Sequence, residues 1–178
     1  MIRQIAPIAP EAVGAQLWDE SVRLFEVRRD ESPIGYFYLD PFARPAEKRG
    51  GAWMNGAIGR SRAMATVGAP GGVRLPCAIL VCNQSEPVTD TRSGEVTPSL
   101  MTFAQCTTLF HETGHGLQHM LTNVQEGMVS GISGVEWDAV EQPSQFMEYW
   151  VRRSRCQLEC SPTSNVLPGT SNVLPCSP

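Results

Sequence analysis

Residues 109–122 read LFHETGHGLQHMLT and contain the pattern His-Glu-X-X-His at positions 111–115. On an α-helix, residues four apart lie on one face about 6 Å apart along the axis, because each residue rises about 1.5 Å. His111 and His115 can therefore direct two imidazoles at one Zn²⁺, whose nitrogen ligands lie at about 2.0–2.1 Å. Glu112 lies one position round the helix, where it can take a proton from a water molecule beside the metal. The stretch predicts a zinc site with Glu112 as its catalytic base.

The same short pattern also arises by chance in roughly one in a few hundred chains of this size. The flanking sequence favours the helix that the zinc interpretation requires. Apolar residues recur at helical spacing, at Leu109, Phe110, Leu117 and Leu121. Thr102 and Gln105 have the spacing of a capping box, which marks a helix start. We therefore predict a helix from about residue 103 to about residue 122.

A catalytic zinc site usually has three protein ligands, and the third is not fixed by the motif itself. His119 lies on the same helix face, but about 12 Å along the axis from His111, so both cannot reach one ion. The third ligand must come from another element. The glutamates that follow the motif include Glu126, Glu136, Glu141 and Glu148. Their spacing alone does not choose among them.

Five segments, in the same order, resemble those of a known family. They read GYFYLD at 35–40, KRGGAWM at 48–54, LVCN at 80–83, LFHETGHGLQHMLT at 109–122 and GISGVEWDAVEQPSQFMEYW at 131–150. On these segments the chain resembles the thimet oligopeptidase family of zinc metallopeptidases, and within it the oligopeptidase A branch. The resemblance covers roughly residues 18–150.

The resemblance implies the ligand that spacing left open. In the family, the third zinc ligand is a Glu just before a Pro-Ser-Gln run, which here is Glu141, ahead of residues 143–145. His111, His115 and Glu141 would then hold one Zn²⁺, as in thermolysin-type sites. Glu136 is a tentative partner for a ligand histidine, because such imidazoles usually donate their other N–H to an acceptor. The alternative for Glu136 is a solvated surface carboxylate.

The implied function is that of a zinc-dependent metalloendopeptidase, an oligopeptidase that hydrolyses peptide bonds in short peptides through a water activated by the metal. In the family, a later region carries a His and Tyr residues that contact the substrate carbonyl. No residue of this chain can be assigned that role. The alternative is therefore a truncated, catalytically inactive zinc-binding fragment. A second alternative is a globular remnant that binds no metal.

The expected fold class is α+β, a helix-dominated, zincin-like catalytic segment. A hairpin (22–27 and 34–39) and one more strand (78–81) form a small sheet, because these runs are rich in β-branched and aromatic residues. The sheet lies beside the motif helix and a second, Glu-bearing helix over 138–150, which Pro143 forces to start late or to kink. An extended peptide could add to the edge of this sheet.

The expected domain organisation has three parts. Residues 1–16 form a poorly anchored lead-in, residues 17–154 a partial metallopeptidase catalytic domain, and residues 155–178 a low-complexity, disordered tail. The stretches 44–72 and 84–98 are expected to be loops, because they are rich in Gly, Pro or polar residues.

The composition limits the classes of partner and the cell compartments that we expect for this chain. A formal charge of −4 provides no basic field for nucleic acid, and no apolar run approaches the ~20 residues of a membrane span. The six cysteines contain no CxxC pair, so free thiols in an intracellular compartment are expected. The sequence does not distinguish cytoplasm from mitochondrion or chloroplast, and it leaves the oligomeric state undetermined.

Overall fold

A computed structural model describes residues 4–159 and 173–175 of the chain. This part is α+β, as predicted, with two helices and a five-stranded sheet. The elements in chain order are β1 (Gln4–Pro7), β2 (Arg23–Arg29), β3 (Ser32–Phe42), β4 (Trp53–Ile58), β5 (Cys77–Gln84), β6 (Val88–Thr89), β7 (Val96–Thr97), β8 (Leu100–Thr102), α1 (Phe103–Met120), α2 (Gln142–Glu159) and β9 (Val173–Pro175). The expectation of a helix-dominated segment is corrected, since nine strands accompany two helices in the described residues.

The main sheet has the order β1-β2-β3-β5-β4. The predicted hairpin is confirmed as β2 and β3, which pair antiparallel, and the predicted third strand is confirmed as β5. β5 pairs parallel with β3 and antiparallel with β4, so the sheet is mixed. Consequently β4 is an edge strand, hydrogen-bonded to the sheet only through β5.

Several strands lie where the sequence predicted none. β4 falls within the expected loop 44–72; it contains Gly56 and has an exposed run at 55–58, so it lacks the alternation of a half-buried strand. Its pairing with β5 is long-range and leaves no local signal. β1 falls within the expected poorly anchored lead-in and pairs with β2 over four residues. Within the expected loop 84–98, β6 and β7 pair as a short hairpin.

Helix α1 begins where the capping box predicts. Thr102 Oγ1 accepts a hydrogen bond from the Gln105 amide at 3.2 Å, and Gln105 Oε1 accepts from the Thr102 amide at 2.8 Å. The helix lies on the sheet, with Met120 in a core that contains Val27 and Ala78. Burial of a methionine or valine side chain in this core stabilises the fold by roughly 1.5–3 kcal/mol. This packing holds the motif beside β5 and β4.

Helix α2 starts late, as Pro143 predicted, with Pro143 in its first turn, where the missing N–H costs no helical hydrogen bond. It packs closely on α1 at Gly114. A Cβ on Gly114 would lie 2.5 Å from the Pro143 carbonyl oxygen and 2.6 Å from Ser144 Cα. The glycine of the HETGH motif therefore permits the close approach of the two helices.

The expectation of a disordered tail over 155–178 falls mostly outside the described residues. Within them, α2 continues to Glu159, and β9 pairs antiparallel with β8. Neither described helix is long and apolar enough to cross a membrane. Cys77 on β5 is a buried free thiol, as predicted, while Cys82 is buried and Cys106 half-buried.

Candidate active site

The motif histidines meet a carboxylate at the junction of α1 and α2. His111 Nε2 lies 3.2 Å from Glu141 Oε2, and His115 Nε2 lies 3.3 Å from the same oxygen. One donor atom from each of the three residues lies within 4.8 Å of the other two. The structure thus brings together the three residues that sequence and resemblance single out as metal ligands.

Two of the three distances within this group fit a zinc ion. Two ligands at about 2.0–2.1 Å from a tetrahedral Zn²⁺ are separated by about 3.3 Å. The two distances from Glu141 Oε2 to the imidazole nitrogens, 3.2 and 3.3 Å, match that edge length. Two imidazole nitrogens and one carboxylate oxygen are also a donor set that zinc accepts, with a fourth position left open.

Glu141 is held by the first turn of α2. Its backbone carbonyl accepts a hydrogen bond from the Gln145 amide at 3.0 Å. Ser144, which is fully buried, donates its hydroxyl to Glu141 Oε2 at 2.7 Å. Ser144 carries no sequence signal for this role beyond its place in the Pro-Ser-Gln run. Its contact fixes the carboxylate orientation while the Glu141 side chain stays half-exposed.

The other ring nitrogen of His111, Nδ1, also has a partner. His111 Nδ1 lies 2.8 Å from Glu148 Oε1, and Arg152 lies 3.1 Å from the other oxygen of Glu148. The hydrogen bond with His111 is the main cause that lowers the pKa of Glu148. A carboxylate at Nδ1 places the ring proton there and leaves the Nε2 lone pair directed at Glu141, as a metal ligand requires.

The acid that contacts His111 differs from the one suggested by the sequence. Glu148, and not Glu136, is the acid that the structure brings to His111. Glu136 is exposed and uses its backbone carbonyl to accept from the amides of Ala139 and Val140. Glu148 lies seven residues after Glu141, about two helical turns, but this spacing alone does not single it out, because the contact depends on how α2 lies against α1.

His115 is more enclosed than His111. Burial lowers the pKa of its imidazole, which keeps the ring neutral and able to bind metal at neutral pH. Its Nδ1 is buried and has no hydrogen-bond partner among the described residues. A neutral ring with Nε2 facing Glu141 is the state that the ligand role needs.

Glu112 is buried beside this group, with 6% of its surface exposed. Burial raises the pKa of its carboxyl, and the nearby His111 opposes that shift. The backbone amide of Met54, on the edge strand β4, donates a hydrogen bond to it. The base predicted from the motif therefore lies between the group of His111, His115 and Glu141 and the edge of the sheet.

The remaining candidates lie away from the group. Glu126 is exposed. His119 points to the other end of β4, with Nε2 2.9 Å from the Ile58 carbonyl oxygen, in agreement with the helical geometry that excluded it as a ligand. Of the four glutamates, two converge on the histidines from α2 or its start, and two do not.

The model of peptidase family M3 matches residues 5–165 of the chain, a longer stretch at both ends than the resemblance in the sequence. The organellar oligopeptidase A of Arabidopsis thaliana (chloroplastic/mitochondrial) is 56% identical over 144 residues, which are 80% of this chain and 17% of that protein. The probable cytosolic oligopeptidase A of the same plant is 52% identical over 144 residues, covering 80% and 19%. Oligopeptidase A of Escherichia coli (strain K12) is 48% identical over 143 residues, covering 80% and 19%.

This chain therefore spans less than a fifth of the length of these three relatives. The family match includes His111, His115 and Glu141 and both helices around them. A match of this extent, together with these identities, shows that the chain belongs to peptidase family M3, as a segment of the thimet oligopeptidase type.

Proposed function

We propose that this chain is a zinc-dependent metalloendopeptidase segment with a zincin-like site, in which His111, His115 and Glu141 hold one Zn²⁺ and Glu112 is the catalytic base. The observation that carries the proposal is the convergence of both Nε2 atoms on one oxygen of Glu141 at 3.2 and 3.3 Å. Membership of a peptidase family supports the reaction class.

Each group in the proposed site has its own role in the reaction. Zn²⁺, when bound, polarises the scissile carbonyl and lowers the pKa of the attacking water toward about 7. Glu112 takes the proton from that water and delivers it to the leaving amine. Burial raises the pKa of Glu112, so its protonated form is easier to populate during the transfer. Glu148 keeps the His111 ring oriented.

Strand β4 is the proposed peptide-binding edge. It lies at the end of the sheet order, with one side paired to β5 and residues 55–58 exposed. Its Met54 amide contacts Glu112, so a peptide on this edge would pass beside the base. An extended peptide adds to such an edge through main-chain hydrogen bonds, which favour short, unstructured substrates over folded proteins.

The substrates proposed here are short peptides, which is supported by the relatives' names, all oligopeptidases. Those names also place two relatives in organelles or cytosol, which supports an intracellular location for this chain.

The second candidate is a zinc-binding fragment without turnover. Groups that stabilise a developing oxyanion are worth about 10²–10³ in rate each, and no described residue is assigned that task here. Zinc content without peptide cleavage would identify this candidate.

A paired substitution tests the proposal. Glu112→Gln should retain zinc and lose about 10²–10⁴-fold in cleavage of a short, internally quenched peptide, because the base is gone but the ligands remain. Glu136→Gln, the same chemical change on an exposed glutamate, should leave both zinc content and cleavage unchanged. Undiminished cleavage by Glu112→Gln would contradict the assignment of the base.

A further inference from the structure

His119 lies on the same helix as the zinc-ligand histidines but serves a different contact. Only 2% of its surface is exposed. Its Nε2 lies 2.9 Å from the carbonyl oxygen of Ile58, the last residue of β4, and its Nδ1 accepts from the Ile132 amide at 3.4 Å. A carbonyl can only accept and an amide N–H can only donate, so the ring proton is on Nε2. Both ring nitrogens are thereby used.

Two glycines make room for this ring. A Cβ on Gly56 of β4 would lie 2.7 Å from His119 Cε1, and a Cβ on Gly131 would lie 2.5 Å from its Nδ1. Gly131 also has a positive φ of 68°, which favours glycine. Neither position admits a larger residue without displacing the imidazole. The ring thus fills a site shaped by backbone on two sides.

The ring connects three segments of the chain. They are α1, the end of the edge strand β4, and the segment 130–132 that leads toward Glu141. The chain just before this segment is tied to the chain after β4, because the Arg62 amide donates to the Gln125 carbonyl at 3.0 Å. Fully buried Ser130 packs beside Gly59. His119 therefore connects these contacts to α1.

We propose that His119 is a positioning residue that holds the Ile58 end of β4 in place and so fixes the peptide-binding edge. The inference rests on the proposed function for its consequence in peptide binding. β4 is an edge strand with a neighbour on one side only, so its far end lacks the second row of hydrogen bonds that an inner strand has. The hydrogen bond from His119 supplies a tether at that end.

An imidazole suits this task because its two nitrogens lie on separated edges of a rigid ring, one donating and one accepting. Phenylalanine fills a similar volume but provides neither contact. Glutamine offers a donor and an acceptor on one flexible end, so it can restore one contact more readily than two. We therefore expect the amides of β4 to be best protected from hydrogen exchange with histidine at position 119, less with glutamine and least with phenylalanine.

Amide hydrogen exchange tests the tether without requiring zinc or peptide. His119→Phe should accelerate exchange in β4 and in 130–132 by about tenfold beyond any change in the rest of the sheet, because buried hydrogen-bond partners are lost there. His119→Gln should give a smaller acceleration in the same segments. It replaces His119→Phe as the test variant if that protein does not fold. Leu24→Ala is the matched control, since Leu24 is buried on β2, two strands from β5. Exchange in β4 that changes no more than in Leu24→Ala would overturn the inference.

Peptide affinity tests the consequence. On a zinc-loaded Glu112→Gln background, which does not turn over, a short fluorescent peptide should bind about tenfold more weakly when His119 is Phe, while zinc affinity is retained. Equal peptide affinity in the two proteins would overturn the link to the binding edge. A parent chain that binds neither zinc nor peptide would instead refute the proposed function, and the exchange result would still decide whether His119 tethers β4.

Discussion

At the scale of single residues, the site depends on which acids reach the two motif histidines. Glu141 faces both Nε2 atoms, and Glu148 faces His111 Nδ1. Spacing in the sequence could not separate these two from the other glutamates, because that choice depends on how α2 is placed against α1. The resemblance to a family supplied Glu141, and only the three-dimensional contact reveals Glu148.

Glu148→Ala should weaken zinc affinity by about 10–100-fold, because loss of the acceptor frees the His111 ring to rotate and to change tautomer. Competition with a chromogenic chelator measures the affinity. Glu136→Ala is the matched control, since Glu136 is exposed and contacts neither imidazole among the described residues. Equal affinities of the two variants would show that Glu148 does not orient a ligand.

At the scale of elements, the site is a helix–helix junction made possible by Gly114. The absence of a side chain there lets the Pro143 carbonyl and Ser144 approach α1, which places Glu141 over the histidines. Pro143 and the capping box of α1 are local signals, so the starts of both helices could be predicted from the sequence. The close approach at Gly114 could not, because a glycine within a helix has no unique meaning until its neighbour is known.

Gly114→Ala should lower the free energy of unfolding by about 1–3 kcal/mol, since its Cβ would lie 2.5 Å from a backbone oxygen that cannot move alone. Zinc affinity should fall with it, because Glu141 is displaced. Gly116→Ala is the control: its Cβ would lie 3.1 Å from a Leu80 methyl, which can adjust, and alanine favours the helix by up to about 1 kcal/mol. Chemical denaturation compares them, and an equal loss in both would contradict this account of the junction.

The sheet shows which elements the sequence can specify. The hairpin β2–β3 and the strand β5 were predictable because their residues are β-branched or aromatic and partly alternate. Strand β4 was not, because an exposed run with Gly56 owes its pairing to β5 rather than to its own pattern. The unpredicted strand is also the one that contacts Glu112, so the proposed substrate edge was outside the reach of local sequence signals.

At the scale of the whole molecule, a buried acid joins the sheet to the loops around it. Asp40 on β3 is 3% exposed and receives hydrogen bonds from Trp18, Arg44 and Lys48. Burial alone would raise the pKa of Asp40, but these three donors outweigh it and lower the pKa to about 2. The charged form of Asp40 is therefore favoured by folding, which makes stability depend on pH.

Because the folded-state pKa lies below the unfolded value of about 3.9, this stabilisation is complete above pH ~4 and is lost as the pH falls toward 2. The loss should be about 2 kcal/mol, measured by urea unfolding across that range. Asp40→Asn should remove this part of the pH dependence, whereas Asp138→Asn, on an exposed residue, should retain it. An unchanged acid profile in Asp40→Asn would contradict the role of the cluster.

Zinc titration of the purified chain tests whether one zinc ion is held at the junction of the two helices. We predict one zinc per chain, with affinity reduced by His111→Ala, His115→Ala and Glu141→Ala and unchanged by Glu136→Ala. Removing one ligand from a three-ligand site leaves an incomplete set, so each loss should be at least tenfold. Absence of stoichiometric zinc, or an affinity unaffected by Glu141→Ala, would contradict the account.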